Sequence, residues 1–384
     1  MLALRLTRGA HPLVLARRLL VAAASAGVGF LLLCTLGHAL GHPEQASAST
    51  LRLLWCVLPL AATVQFAVAV ARTDPSTRPR PGLSAIGVGP ARLTLLAAAS
   101  TAVTCTLGSA VALLLYLHLR GDLTGLPFDG AASGLLAADR PVPLAAVLTL
   151  LAVVPVTASA AAALALRPRP APPAEDVGGE DEGMPSGLPW GVALVAIGLA
   201  VETYAGRGGG GGLPLPGRFD GSPAAVLAGW VLTAIGLATA GPALVHGCGR
   251  LLQAVRPGAV RLLAGRVLMT EARRIGRPLG VVCAVLSGLL AAASLYGSDT
   301  GSDAFGPLTG LGATLILACT CATLLTAALE SRQGRAPVTE ALLRVGAPPA
   351  TLRTAALART GVLLAVFLPL TWAVAELAAL PLKG

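Results

Sequence analysis

Charge, aromatic side chains and lysine are scarce in this chain. Of its 384 residues only 12% are charged and 3% aromatic. That is about half the charge of an ordinary soluble domain, which argues against a soluble enzyme. The only lysine is Lys383 and there is no G-x-x-x-x-G-K-[ST], so the chain has no P-loop to cradle a nucleotide. The seven cysteines, Cys34, Cys56, Cys105, Cys248, Cys283, Cys319 and Cys321, offer no zinc-knuckle or redox spacing, because one residue separates the last two. They read as small apolar fillers, which excludes a secreted disulfide scaffold. No catalytic triad, paired-carboxylate dyad or redox CxxC is visible, and no cofactor is implied.

What is present is apolar sequence, 55% of the chain, in runs of about 20 residues. The runs are 19–40, 51–71, 93–118, 141–166, 188–204, 224–246, 279–296, 308–329 and 361–380. A backbone crossing hydrocarbon must satisfy its own N–H and C=O groups, so each run is expected to be a helix. The expected fold class is therefore an all-α polytopic membrane protein of about nine transmembrane helices.

The net charge of +10 follows the connections. With the N-terminus in the cytoplasm, 22 of the 28 basic residues fall on the cytoplasmic side, including Arg261, Arg266, Arg273, Arg274 and Arg277 before the seventh run. Six fall outside: Arg52, Arg120, Arg140, Arg207, Arg218 and Lys383. Retention of basic residues inside predicts a multi-pass protein of the cell membrane, N-terminus in and C-terminus out. The charge is thus topology and not a nucleic-acid surface. Tyr116, Tyr204 and Tyr296 fall at expected outer ends, where a ring with one wet edge is favoured. A cleavable signal peptide ending at Ala46-Ser47-Ala48 is the competing reading of the first run, disfavoured by its length.

Residues 167–187, rich in Pro, Gly and carboxylates, read as a disordered cytoplasmic linker. Around it the chain repeats itself. The segment 83–93 (LSAIGVGPARL) aligns without gaps on 342–352 (LLRVGAPPATL), an offset of 259, and Arg17-Arg18-Leu19 matches Arg277-Pro278-Leu279 at 260. Each connector reads as a short amphipathic helix, a Gly stop (Gly87 or Gly346) and a new helix entered through Pro-Ala. Runs 1–3 thus correspond to runs 7–9 in two parallel repeats, arranged 4 + 2 + 3. The expected parts are a first repeat, 1–166; the linker, 167–187; two connector spans, 188–246; and a second repeat, 247–384. The same offset would put a counterpart of the fourth run near 400–425, past the last residue. Parallel repeats disfavour inverted-repeat secondary transporters.

At these residues the chain resembles the FtsX-like permeases, membrane subunits of ABC transporters of the macrolide-exporter, lipoprotein-release and bacitracin-resistance type. Residues 330–352 (ESRQGRAPVTEALLRVGAPPATL) match that family's connector in kind at Glu330, Arg332, Glu340, Leu342, Leu343, Arg344, Gly346, Ala347 and Leu352. The earlier copy matches at Leu83, Ile86, Gly87 and Leu93, without the charged lead-in. Residues 261–277 resemble the amphipathic helix ahead of a repeat's first span. The resemblance implies a separate cytoplasmic ATPase as partner, leaves room for a second permease copy, and implies a hydrophobic or amphipathic transported compound. It also implies a surface coupling to the ATPase at 338–345 and 82–86. Val338, Leu342 and Val345 recur at i, i+4 and i+7, an apolar stripe suited to a groove on a soluble partner. The same stripe would equally suit a helix lying on the inner leaflet.

Two ionisable residues fall inside runs, Glu202 and Glu376. Such groups are functional candidates, although both stand near outer ends where snorkelling or capping would serve them. His38 and His42 have the i, i+4 spacing of a metal pair beside Glu44, but Gly41 and Pro43 end the helix there. Gly27, Gly29, Gly108, Gly288 and Gly310 are candidate points of close helix approach. A membrane-embedded enzyme lacks the His partner its acidic residues would need; the alternatives are a secondary transporter, for which few mid-membrane polar groups are visible, and a non-transporting scaffold or sensor.

Overall fold

The computed structural model describes residues 12–74, 90–122, 130–134, 136–167, 187–207, 224–254, 258–296, 307–346 and 348–383. Among them every regular element is helical and there is no strand. The helices are α1 (Pro12–Gly41), α2 (Ala46–Trp55), α3 (Val57–Thr73), α4 (Pro90–Arg120), α5 (Leu144–Ala165), α6 (Gly187–Arg207), α7 (Ala224–Ala254), α8 (Ala259–Tyr296), α9 (Pro307–Arg344) and α10 (Pro349–Lys383). Four of them open on proline, whose fixed φ and missing N–H suit a first helical position. Among the described residues nine helical stretches, α2 and α3 counting as one, are long and apolar enough to cross a membrane. The protein is an all-α, multi-pass membrane protein.

The packing is that of a lipid-facing bundle. Along α4 the buried positions are Leu93, Ala97, Thr101, Cys105, Ser109, Ala112 and Tyr116, mostly small and about one turn apart. Leu95, Leu96, Val103, Leu107 and Leu114 are exposed. Large apolar groups outward and small ones inward bring helix axes close and leave the leucines for hydrocarbon. Tyr116 belongs to that core, beside Leu33, Cys34 and Leu136, so its ring has no wet edge. Tyr204 is exposed as expected.

The helices form two compact units. The first holds α1 to α5 and the start of α9 up to Cys319. In it α1 packs on α4, α4 on α5 and α3 on α5. Ser25 Oγ donates to the Cys105 carbonyl at 2.9 Å, across the α1–α4 contact. Pro155 interrupts α5 and leaves the Leu151 carbonyl without its usual N–H, and Ser109 Oγ donates to that oxygen at 3.1 Å. At the arginine-bearing end Arg18 pairs with Asp74 at 2.5 Å, and Arg17 donates to Thr73 Oγ1 at 3.2 Å. At the other end Arg120 is buried and donates to the carbonyls of Ala138 and Arg140, fastening the chain that leads into α5.

The second unit holds α6, α7, α8, α9 from Thr320 onward, and α10. Here α7 packs between α6 and α8, and α8 also packs on α10, around Leu237, Val245, Leu268, Cys283, Phe367 and Val374. Glycines set the spacing. A Cβ on Gly191 would stand 2.6 Å from Ala240 N, and one on Gly276 2.6 Å from Pro242 N. Of the candidate close-approach glycines, Gly27, Gly29 and Gly108 do face neighbouring atoms. A Cβ on Gly288 or Gly310 would meet nothing within 4 Å, so these two are not contact points.

The connector between the eighth and ninth spans differs from expectation in one respect. Its amphipathic helix is not a separate piece: α9 runs unbroken from Pro307 to Arg344, through Pro337. Likewise 261–277 is continuous with the seventh span as α8. The Gly stop is present, with Gly346 at φ +97°, and α10 begins at Pro349.

Candidate functional site

Helices α8 and α9 each have 38 residues. At 1.5 Å per residue each is about 57 Å long, whereas hydrocarbon takes about 30 Å. The apolar stretches 279–296 and 308–329 account for the crossing, so the polar halves, 259–278 and 330–344, extend beyond it at one end of the unit. They are held to each other there. Glu271 on α8 accepts a hydrogen bond from Ser331 Oγ at 2.6 Å and forms an ion pair with Arg335, whose Nε lies 2.9 Å away. Arg335 also donates to the Ser331 carbonyl at 3.2 Å and to Ser331 Oγ at 3.1 Å. One turn away Arg274 pairs with Glu330 at 3.5 Å. Ser331 is buried within this brace.

Beyond the brace α9 turns its remaining side chains outward. Val338, Leu343 and Val345 are exposed, Val345 at 88%, and Leu342 is half-buried. Glu340 and Arg344 pair at 2.7 Å along the helix with both side chains mostly in solvent, and Arg332 is exposed. Glu330, Arg332, Val338, Glu340, Leu342, Leu343, Arg344, Val345 and Gly346 therefore lie along one projecting helix end and its stop. Glu330 serves the brace. Val338, Leu343 and Val345 are the exposed apolar side chains of this end, Val338 and Val345 on one face and Leu343 on another. Ala347 lies outside the described residues, as do Leu83, Ile86 and Gly87.

No protein-family model, curated protein or solved structure matches the chain.

The two intramembrane carboxylates differ in setting. Glu202 is fully buried between α6 and α7, so it neither snorkels nor caps. Glu376, on α10, is half-buried. His38 and His42 stack with ring centroids 4.4 Å apart, and among the described residues no three His, Cys, Asp or Glu side chains cluster as metal ligands.

Sequence reasoning missed Glu271, Ser331, Asp74 and the burial of Arg120. One trace was available. Arg18–Asp74 and Arg274–Glu330 are each 56 residues apart, with the arginine just ahead of one apolar run and the acid just behind the next.

Proposed function

We propose that the chain is the membrane-spanning permease subunit of an ABC transporter, coupled to ATP hydrolysis on a separate cytoplasmic polypeptide. In this reading the α8–α9 extension faces the cytoplasm, and the 338–345 surface is what the ATPase grips. The observation that carries the proposal is the unbroken α9. A helix rigid from lipid to tip turns displacement of its exposed end into tilt of the span, and the Glu271–Ser331–Arg335 brace makes α8 move with it. Exposed Val338 and Val345, with half-buried Leu342 beside them, give a groove on a soluble partner apolar anchors, and Glu340 and Arg344 offer a charged contact on the other side of the helix. The recurrence of the Arg–acid pair at equal separation supports the reading of two parallel repeats. The small-in, leucine-out faces suit a hydrophobic or amphipathic cargo exchanged with lipid.

The test is co-purification followed by ATPase assay. A nucleotide-binding subunit should be recovered with the wild-type chain, and Glu340→Ala with Arg344→Ala should abolish the permease's effect on its ATPase rate. An exposed i, i+4 pair contributes only about 0.3–0.5 kcal/mol, so the double variant should stay folded. ATPase stimulation that is unchanged in this variant removes the coupling surface.

A further inference from the structure

Helices α6 and α7 are pressed together along glycine. A Cβ on Gly198 would stand 2.7 Å from the Gly229 carbonyl, and one on Gly236 2.7 Å from Val195 N. Glu202 lies on the same face of α6, one turn past Gly198, where a Cβ on Gly229 would come within 2.6 Å of Glu202 Cγ. The carboxyl is entirely inside the protein, at 0% exposure. Thr233 Oγ1 donates to its Oε1 at 3.4 Å, and among the described residues no group donates to Oε2, which is also buried.

A carboxylate buried in a membrane span needs a cation or several donors. Among the described residues the neighbours supply neither. From α7 the facing groups are Gly229 and Thr233. Where α6 packs on α10, Leu199 lies against the cluster of Ala291, Ala378 and Ala379, and the titratable residue in that stretch of α10 is Glu376, another acid. On α6 itself Tyr204 points to the exterior. Size then decides what can balance the charge. A seam without room for a methyl group has none for an organic ammonium or a metal ion, but it has room for a proton.

We propose that Glu202 is a proton-binding site built into the α6–α7 seam. While the seam is closed the proton is bonded to Oε2. When the helices part, that O–H bond breaks, the proton passes to water and the carboxylate is left; closure reverses the step. Parting of α6 from α7 is thereby tied to proton release, a proton-linked step separate from any ATP-driven one and independent of the permease reading.

Infrared spectroscopy of the full-length chain in detergent tests this directly. The wild type at neutral pH should show the C=O stretch of a protonated carboxyl group. That band should be lost in Glu202→Gln, kept in Glu376→Gln and shifted in Thr233→Val, which removes the hydrogen bond to Oε1. The Thr233→Val shift also serves if Glu202→Gln does not accumulate, since Thr and Val have the same shape. A wild type without the band overturns the proposal, as does a band that Glu202→Gln and Thr233→Val both leave in place.

Discussion

At the scale of residues, the two ion pairs of α9 do different work, and their surroundings say which is structural. Glu340 and Arg344 have 65% and 76% of their side chains exposed, so water screens the pair and little stability rests on it. The side chains of Glu271 and Arg335 are 15% and 30% exposed, and both hydrogen-bond to buried Ser331. A bond to a charged group contributes about 1.5–3 kcal/mol when sheltered, and solvent reduces that here to about 1 kcal/mol of coupling. A double-mutant cycle of Glu271→Ala and Arg335→Ala, read as unfolding free energy in detergent, should give that coupling, against about 0.3–0.5 kcal/mol for Glu340 with Arg344. Equal couplings would mean that the brace does not hold the two helices together. Neither Glu271 nor Ser331 stands out in the sequence, because the bond they form joins positions 60 residues apart and leaves no periodic trace.

At the scale of elements, the bilayer made much of the fold legible and local contacts made the rest invisible. Run length fixed the nine crossings, since hydrocarbon thickness sets how many apolar residues a helix needs. The joining of 261–277 to the seventh span and of 330–344 to the eighth could not be read the same way. Charge density and the prolines at 278 and 337 look like breaks, whereas the helix continues through both. Glycines were ambiguous for a related reason: composition locates them, but only helix register tells which meet a neighbour. Alanine substitutions separate the two kinds. At Gly276 the added methyl would face Pro242 N at 2.6 Å and Gly241 C at 2.8 Å, backbone atoms that cannot rotate away. Moving α7 off α8 should cost about 1–3 kcal/mol. At Gly288 the methyl meets nothing, and the better helix propensity of alanine should leave stability unchanged or raised by up to about 1 kcal/mol. The thermal unfolding midpoint should therefore fall in Gly276→Ala and hold or rise in Gly288→Ala, and a Gly276→Ala protein as stable as the wild type would show that the seam is loose.

At the scale of the whole molecule, sidedness is the property on which the permease reading stands, and it follows from charge and parity together. Nine crossings would put the two ends of the chain on opposite faces, and the permease reading takes the face with 22 of the 28 basic residues as cytoplasmic. Removal of the first run as a signal peptide would shorten the count but leave every later connection on its own side, so the experiment is insensitive to that alternative. Reporter fusions provide the readout: green fluorescent protein fluoresces only when it stays in the cytoplasm, and alkaline phosphatase is active only once exported. Fusions at Arg167, Arg256 and Gly346 should fluoresce and lack phosphatase activity, and those at Arg140 and Lys383 should do the reverse. The Gly346 fusion matters most, because that residue ends the helix carrying Val338, Glu340 and Arg344. Phosphatase activity there would set the projecting end of α9 outside, beyond the reach of any ATP-hydrolysing partner. The brace and the rigid helix would then still be real features of the fold, but they would have nothing to transmit.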